Sequence, residues 1–213
     1  MSWGPRTFSA FTIIHMWCLF SHKYFWEMIN MTSKLFSWTS PKLTTRNIAL
    51  TAMLVAIQVV LGKFSVGDPQ VLKVGLGFIA TGMVGYFLGP WLGGIAMIIN
   101  DLISNTILSS GSTFFPGFTF SAFLSGVIAG IFLHHQEITL RRLFAYEFVQ
   151  IGVTNVFFTT LWLHLLYGAP FTQLLIARMP KELISWPIES FVGFIILGAL
   201  VRVLKGRSVY FDE

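Results

Sequence analysis

Between Thr44 and Leu204 the chain is a succession of apolar stretches, separated by short connections that hold most of its charges. A hydrocarbon core about 30 Å thick is crossed by roughly 20 helical residues, so these stretches have the length of membrane spans and the chain has room for about six. No water-soluble domain of ordinary size is left over. Composition agrees, with 54% of residues apolar and 11% charged, which is the balance of an integral membrane protein. The expected fold is therefore all-α, about six transmembrane helices joined by short loops. The net charge of +5 comes from Lys and Arg at helix ends and implies no nucleic-acid partner. Cys18 is the sole cysteine, which excludes disulfide frameworks and multi-cysteine metal sites.

Residues 1–32 do not fit this pattern. Phe8 to Phe20 is apolar but interrupted by His15, and it runs into Ser21-His22-Lys23 and Tyr24-Phe25-Trp26. It is too short for a comfortable span, and no small-residue cleavage site follows. Two readings remain: an interfacial helix with aromatic anchors, or an extension ahead of a start at Met28 or Met31. The second is preferred, which leaves 33–213 as a six-helix membrane domain that binds substrate.

The first span begins at Thr44 and carries Ala49, Ala52 and Ala56 on one stripe. Small residues let another backbone approach closely, so the stripe reads as a docking face. Lys63 to Leu72 forms a polar loop that turns at Gly67-Asp68-Pro69, and Lys73 sits at the mouth of the second helix. Gly75, Gly82, Gly85 and Gly89 thin that helix, which ends near Gly89-Pro90. The third carries Asp101 and Asn105 one turn apart on one face. The fourth is expected from about Thr119, with Ala122, Gly126 and Gly130 as a small-residue ladder. The fifth holds Glu147, Asn155 and Trp162. Gly168-Ala169-Pro170 opens a longer loop containing Arg178, Pro180 and Lys181, and the last helix is expected from about Trp186 to Leu204.

Two features point to a ligand. The connection Phe114-Phe115-Pro116-Gly117-Phe118-Thr119 is aromatic where a solvated turn is usually polar, and its Pro-Gly pair favours a rigid bend. Asp101 lies in an apolar span, where a carboxylate is costly and by default marks a functional site. Together they suggest a pocket near one membrane face for a planar, hydrogen-bonding molecule. The plainer reading keeps the Phe residues as an interfacial belt and Asp101 as a helix cap. With six spans, Lys34, Lys42, Arg46, Arg141, Arg142, Arg202, Lys205 and Arg207 fall on one side. Only Lys63, Lys73, Arg178 and Lys181 fall on the other. The richer side is expected in the cytoplasm with both termini. Arg178 is then a candidate clamp for an anionic ligand, because a guanidinium pairs with a carboxylate through two parallel hydrogen bonds.

From about Ser33 to Arg207 the sequence resembles a folate-specific S component of the energy-coupling factor (ECF) vitamin transporters. The pieces that carry the resemblance are Arg46-Asn47-Ile48-Ala49-Leu50-Thr51-Ala52-Met53-Leu54-Val55-Ala56, Leu61-Gly62-Lys63-Phe64-Ser65, Phe87-Leu88-Gly89-Pro90 with Asp101, and the run from Phe114 to Gly126. The last is the most specific, while the alanine stripe speaks only for S components in general. The resemblance implies a multi-pass subunit of the bacterial plasma membrane that binds folate from outside. It also implies a transmembrane coupling subunit and two cytoplasmic ATPases as partners, with ATP used by those partners and no cofactor on this chain.

A pterin is flat and has an amide–amidine edge, so it asks for aromatic faces and for a carboxylate or amide. On this reading the substrate-binding set is Lys73, Asp101, Asn105, Phe115, Pro116, Phe118, Thr119, Asn155 and Arg178. Phe115 and Phe118 would stack, Asp101 and Asn105 would read the edge, and Arg178 or Lys73 would hold the anionic tail. Ala49, Ala52 and Ala56 would meet the coupling subunit. Three alternatives remain: an S component for riboflavin, thiamine or pantothenate, an autonomous carrier, and an intramembrane enzyme. No inverted repeat supports a carrier. Asp101 has only Glu147 and Glu189, both expected near helix ends, as partners for enzyme chemistry. No phosphate-binding Gly-Lys-Ser/Thr motif is present, so ATP hydrolysis is not expected of this chain.

Overall fold

The structure is a computed structural model that describes residues 37–66, 74–108 and 114–206. The N-terminal extension 1–32, Lys34, the turn at Gly67-Asp68-Pro69, Lys73 and Arg207 lie outside the described residues.

Helix α1 is Thr45–Lys63. Thr44 caps it by accepting a hydrogen bond from the Asn47 amide at 3.3 Å, which satisfies one of the free donors of the first turn. Lys63 closes its last turn and donates to the Leu108 carbonyl at 3.1 Å. A short ladder follows, Ser65–Val66 pairing antiparallel with Val74–Gly75. Helix α2 is Gly77–Leu102 and runs into a π-helical turn, Ile103–Ile107. Helix α3 is Pro116–Leu133. Helix α4, Leu140–Gln150, passes through a π-helical segment, Ile151–Phe158, into α5, Thr159–Tyr167. Helix α6 is Phe171–Gly206.

Five of these stretches are long and apolar enough to cross a membrane, yet the described residues make six helical passes because α2 folds back on itself. Gly89 has φ 68° and ψ −172°, a conformation open to glycine and closed to most other residues. A Cβ on Gly93 would lie 3.6 Å from Val84 Cγ1, whereas nine residues of unbroken helix would separate the two by about 13.5 Å. The arms 77–88 and 90–102 are therefore the expected second and third helices, and the break falls at the expected Gly89-Pro90.

Two boundaries differ from expectation. Helix α3 starts at Pro116 rather than near Thr119, because proline at the first helical position gives up a hydrogen bond that no residue there could make. The segment around Arg178, Pro180 and Lys181 is helical rather than a loop and is continuous with the last helix. Pro180 and Pro187 are both on its exposed side, where a lost backbone bond and a kink are tolerated. Buried Glu182, Ser185, Ser190 and Leu197 hold the opposite side against the bundle. At about 54 Å, α6 is longer than a bilayer core is thick.

The core has two centres. Leu54 and Val55 pack against Val84, Leu88, Leu92, Ala96 and Met97, and Ala129 and Leu133 pack against Leu143, Tyr146 and Leu197. Between them α2 and α3 cross at backbone distance. A Cβ on Gly85 would fall 2.4 Å from the Ala129 carbonyl carbon, one on Gly126 2.5 Å from the Gly93 oxygen, and one on Gly130 2.2 Å from the Pro90 nitrogen. In lipid, where burying apolar surface brings helices little advantage, such close contact is what joins them. At one end of the bundle, the Trp91 amide donates to Ser40 Oγ at 3.1 Å, and the buried His134 bonds the Tyr86 carbonyl through Nδ1 at 2.9 Å. Arg46, Arg141 and Arg142 stand on the elements that begin there. Lys63, Leu108 and Phe115 lie at the other end.

Candidate functional site

A cavity of about 370 Å³ opens among α1, the 77–88 and 90–102 arms, α3, the α4–α5 run and α6. Phe78, Met97, Ala122 and Ile151 give the lining apolar surface, and Thr81, Ser121 and Ser125 add hydroxyls from the same elements. The rest of its polar lining comes mainly from two helices with the same spacing. Glu147, Gln150 and Thr154 recur at i, i+3 and i+7, and so do Glu182, Ser185 and Glu189. That spacing keeps a set on one helical face. In a chain surrounded by hydrocarbon, polar side chains of an apolar helix turn inward, so both stripes line the same space.

The π segment adds to this. Its ladder differs from that of the α-helix, and such segments are frequent at functional sites. Thr154 and Asn155, adjacent in sequence, both line the cavity. Asn155 Nδ2 donates to Glu182 Oε2 at 3.4 Å, tying the π segment to α6. Thr154 Oγ1 donates to the Gln150 carbonyl at 2.7 Å, and Gln150 Nε2 reaches Ser125 Oγ on α3. Glu147 is 2% exposed and Glu182 6%. Among the described residues, the lining carries three carboxyl groups, Glu147, Glu182 and Glu189, against one ammonium, Lys181. Among the described residues, no three His, Cys, Asp or Glu side chains gather to hold a metal ion. The arrangement suits a flat organic molecule with one apolar face and an edge rich in hydrogen-bond donors.

Of the residues singled out from sequence, Asn155 lines the cavity. Asp101, Asn105 and Thr119 form a separate cluster. Asn105 Nδ2 donates to Asp101 Oδ1 and Thr119 Oγ1 to Asp101 Oδ2, each at 2.7 Å, and together they fasten the end of α2 to the start of α3. Phe115 lies edge-on to Phe118 with centroids 6.0 Å apart, and 5.7 Å from Trp162. Gly117 lets the rings close, since a Cβ there would sit 2.4 Å from Phe115 and 2.6 Å from Trp162. Trp162 Nε1 donates to Ser121 Oγ at 2.8 Å, and Ser121 lines the cavity. The aromatic group that opens at Pro116 is thus one hydrogen bond from the site. Arg178 is half-buried on α6, one turn before Glu182 and outside the lining. Ala49, Ala52 and Ala56 are exposed, on the side of α1 away from buried Leu54, Val55 and Gln58. Sequence reading passed over Gln150, Thr154, Glu182 and Ser185, and it kept Glu147 and Glu189 only as helix-end acids. The recoverable signal was the repeated polar stripe.

A family model described as "ECF transporter, substrate-specific component" matches residues 46–197. A protein of Clostridium novyi named folate transporter FolT is 31% identical over 141 residues, covering 66% of this chain and 81% of its own length. The folate transporter FolT of Leuconostoc mesenteroides is 30% identical over 180 residues, covering 82% and 96%. Among solved structures, a crystal structure of FolT bound with folic acid superposes with a TM-score of 0.62 at 31% identity, covering 71% of this chain and 92% of that one.

Proposed function

The chain belongs to the substrate-specific components of ECF transporters, and from this premise we propose that its substrate is folate, taken up from outside the bacterial plasma membrane. The observation that carries the proposal is the cavity itself, which joins apolar surface from Phe78, Met97, Ala122 and Ile151 with carboxyl, amide and hydroxyl groups. A pterin presents two apolar faces and an edge on which an amino group and a ring N–H lie side by side. A carboxylate accepts from both at once. Glu147 and Glu182 are the candidates for that edge, with Asn155 orienting Glu182 and Phe78 against a ring face. The glutamate tail, which is anionic, is repelled by a lining with three carboxyl groups. It extends toward Arg178, and the sequence expects Lys73 on the same side of the membrane.

Asp101, Asn105 and Thr119 support the wall next to the cavity, while Phe115, Pro116 and Phe118 close its aromatic rim through Trp162 and Ser121. The exposed alanine stripe of α1 meets a transmembrane coupling subunit, which joins this chain to two cytoplasmic ATPases. Those subunits use ATP, and this chain carries no cofactor and performs no chemistry. Both termini lie in the cytoplasm.

The test is calorimetric titration of the detergent-purified chain without nucleotide. Folate should bind, and riboflavin and thiamine should give no heat. A clear signal for either of the latter with none for folate would assign the chain to another vitamin.

A further inference from the structure

Seven buried side-chain atoms have no hydrogen-bond partner among the described residues, and all seven are oxygens. Four belong to the cavity lining: Tyr146 OH, Glu147 Oε2, Gln150 Oε1 and Ser185 Oγ. Tyr146, Glu147 and Ser185 are at most 2% exposed. Of the amide N–H groups of the lining, both of Gln150 Nε2 are engaged, by Ser125 and Thr154, and one of the two on Asn155 Nδ2 is held by Glu182. Buried polar atoms are normally paired, and each that is not carries a desolvation cost. A carboxyl group presents an acceptor oxygen in either protonation state, an amide carbonyl only accepts, and a hydroxyl does both. Glu182 and Glu189 add further carboxyl oxygens to the same lining. Lys181 adds donors to the same lining, but the unpaired buried atoms that can only accept or hold a carboxyl oxygen, Gln150 Oε1 and Glu147 Oε2, are matched by a ligand that brings N–H groups.

We propose that the cavity discriminates between oxidation states of the pterin and favours the tetrahydro form over the fully oxidised one. This rests on the folate reading above. An oxidised pterin offers donors at its 2-amino group and N3, but its N5 and N8 carry lone pairs. Reduction turns both into N–H groups. A lone pair set against Glu147 Oε2 or Gln150 Oε1 is repelled, whereas an N–H there pairs an oxygen that otherwise stays buried and unmatched. One hydrogen bond gained to a charged or desolvated acceptor corresponds to about tenfold in affinity.

The test is anaerobic titration of the detergent-purified full chain with folic acid, tetrahydrofolate and 5-formyltetrahydrofolate, which keeps N8–H but blocks N5. Tetrahydrofolate should bind at least about tenfold more tightly than folic acid. If 5-formyltetrahydrofolate follows tetrahydrofolate, N8–H carries the preference; if it follows folic acid, N5–H does. Glu147→Gln, which replaces one acceptor by a donor, should shrink the ratio. Should that variant fail to fold, Gln150→Met removes the unpaired Oε1 acceptor with little change of volume and should shrink it as well. Folic acid binding as tightly as tetrahydrofolate, or an unchanged ratio in every variant, overturns the proposal and leaves the folate reading intact. Binding of no folate form overturns both.

Discussion

His134 shows how one side chain fixes the turn between two helices. It is 2% exposed, and burial lowers its pKa to about 4, against the smaller upward pull of its bond to the Tyr86 carbonyl. A carbonyl only accepts, so Nδ1 carries the proton of the neutral ring and Nε2 has none. The neighbouring His135 takes φ 53°, a left-handed conformation uncommon outside glycine, and turns the chain toward α4. The sign of the linkage follows from the lowered pKa. Between about pH 6.5 and about 4 the unfolded chain binds a proton at this site and the folded chain does not, so acidification across that window removes stability. Melting temperature measured against pH should fall through the window. In His134→Asn, which keeps a donor for the Tyr86 carbonyl and cannot titrate there, the fall should be shallower. Parallel curves for the two proteins would show that the acid sensitivity lies elsewhere.

Among the elements, the crossing of α2 and α3 is the most demanding contact. At Gly85, Gly126 and Gly130 a single added carbon would overlap backbone atoms of the facing helix, and backbone cannot swing aside as a side chain can. Gly130→Ala should therefore cost about 1–3 kcal/mol or more, the usual range for overfilling a packed contact. Gly198 on α6 has nothing within 4 Å of where a Cβ would stand. The same change there should be neutral or stabilising by up to about 1 kcal/mol, the helix-propensity gain of alanine over glycine. Thermal unfolding of the two variants in one detergent compares them directly, and equal effects would mean that α2 and α3 do not meet as closely as described.

For the whole molecule, the question is which faces are spent internally. Helix α1 gives the bundle Leu54, Val55 and Gln58 and leaves Ala49, Ala52 and Ala56 exposed. If a coupling subunit docks on those alanines, the double substitution Ala52→Trp and Ala56→Trp should abolish co-purification with the partner subunits and ATP-driven uptake. Folate binding by the solitary chain should be unchanged, because the cavity touches α1 only at Gly62. Ligand titration and co-purification of the same variant read the two effects separately. Loss of binding together with thermal stability would place the stripe in this chain's own packing.

Span number and the location of the hairpin were legible in the sequence, because hydrocarbon thickness fixes span length and because Gly89-Pro90 has few other uses in lipid, and the glycine ladders marked tight-packing faces without naming the helix each would meet. The site was legible only in part. Asp101 and the aromatic run stood out as isolated oddities, and they sit beside the cavity, bonded to one another. The lining itself is assembled from Glu147, Gln150, Thr154, Asn155, Glu182, Ser185 and Glu189, each unremarkable alone. Two rotations bring them together, that of the π segment and that of α6, whose helix runs through Pro180 and Pro187 where local propensity would end it. Local sequence determines how long a helix can be and what it carries. Which residues of two helices face the same space depends on their packing against the rest of the bundle, and that was decided only by the tertiary structure.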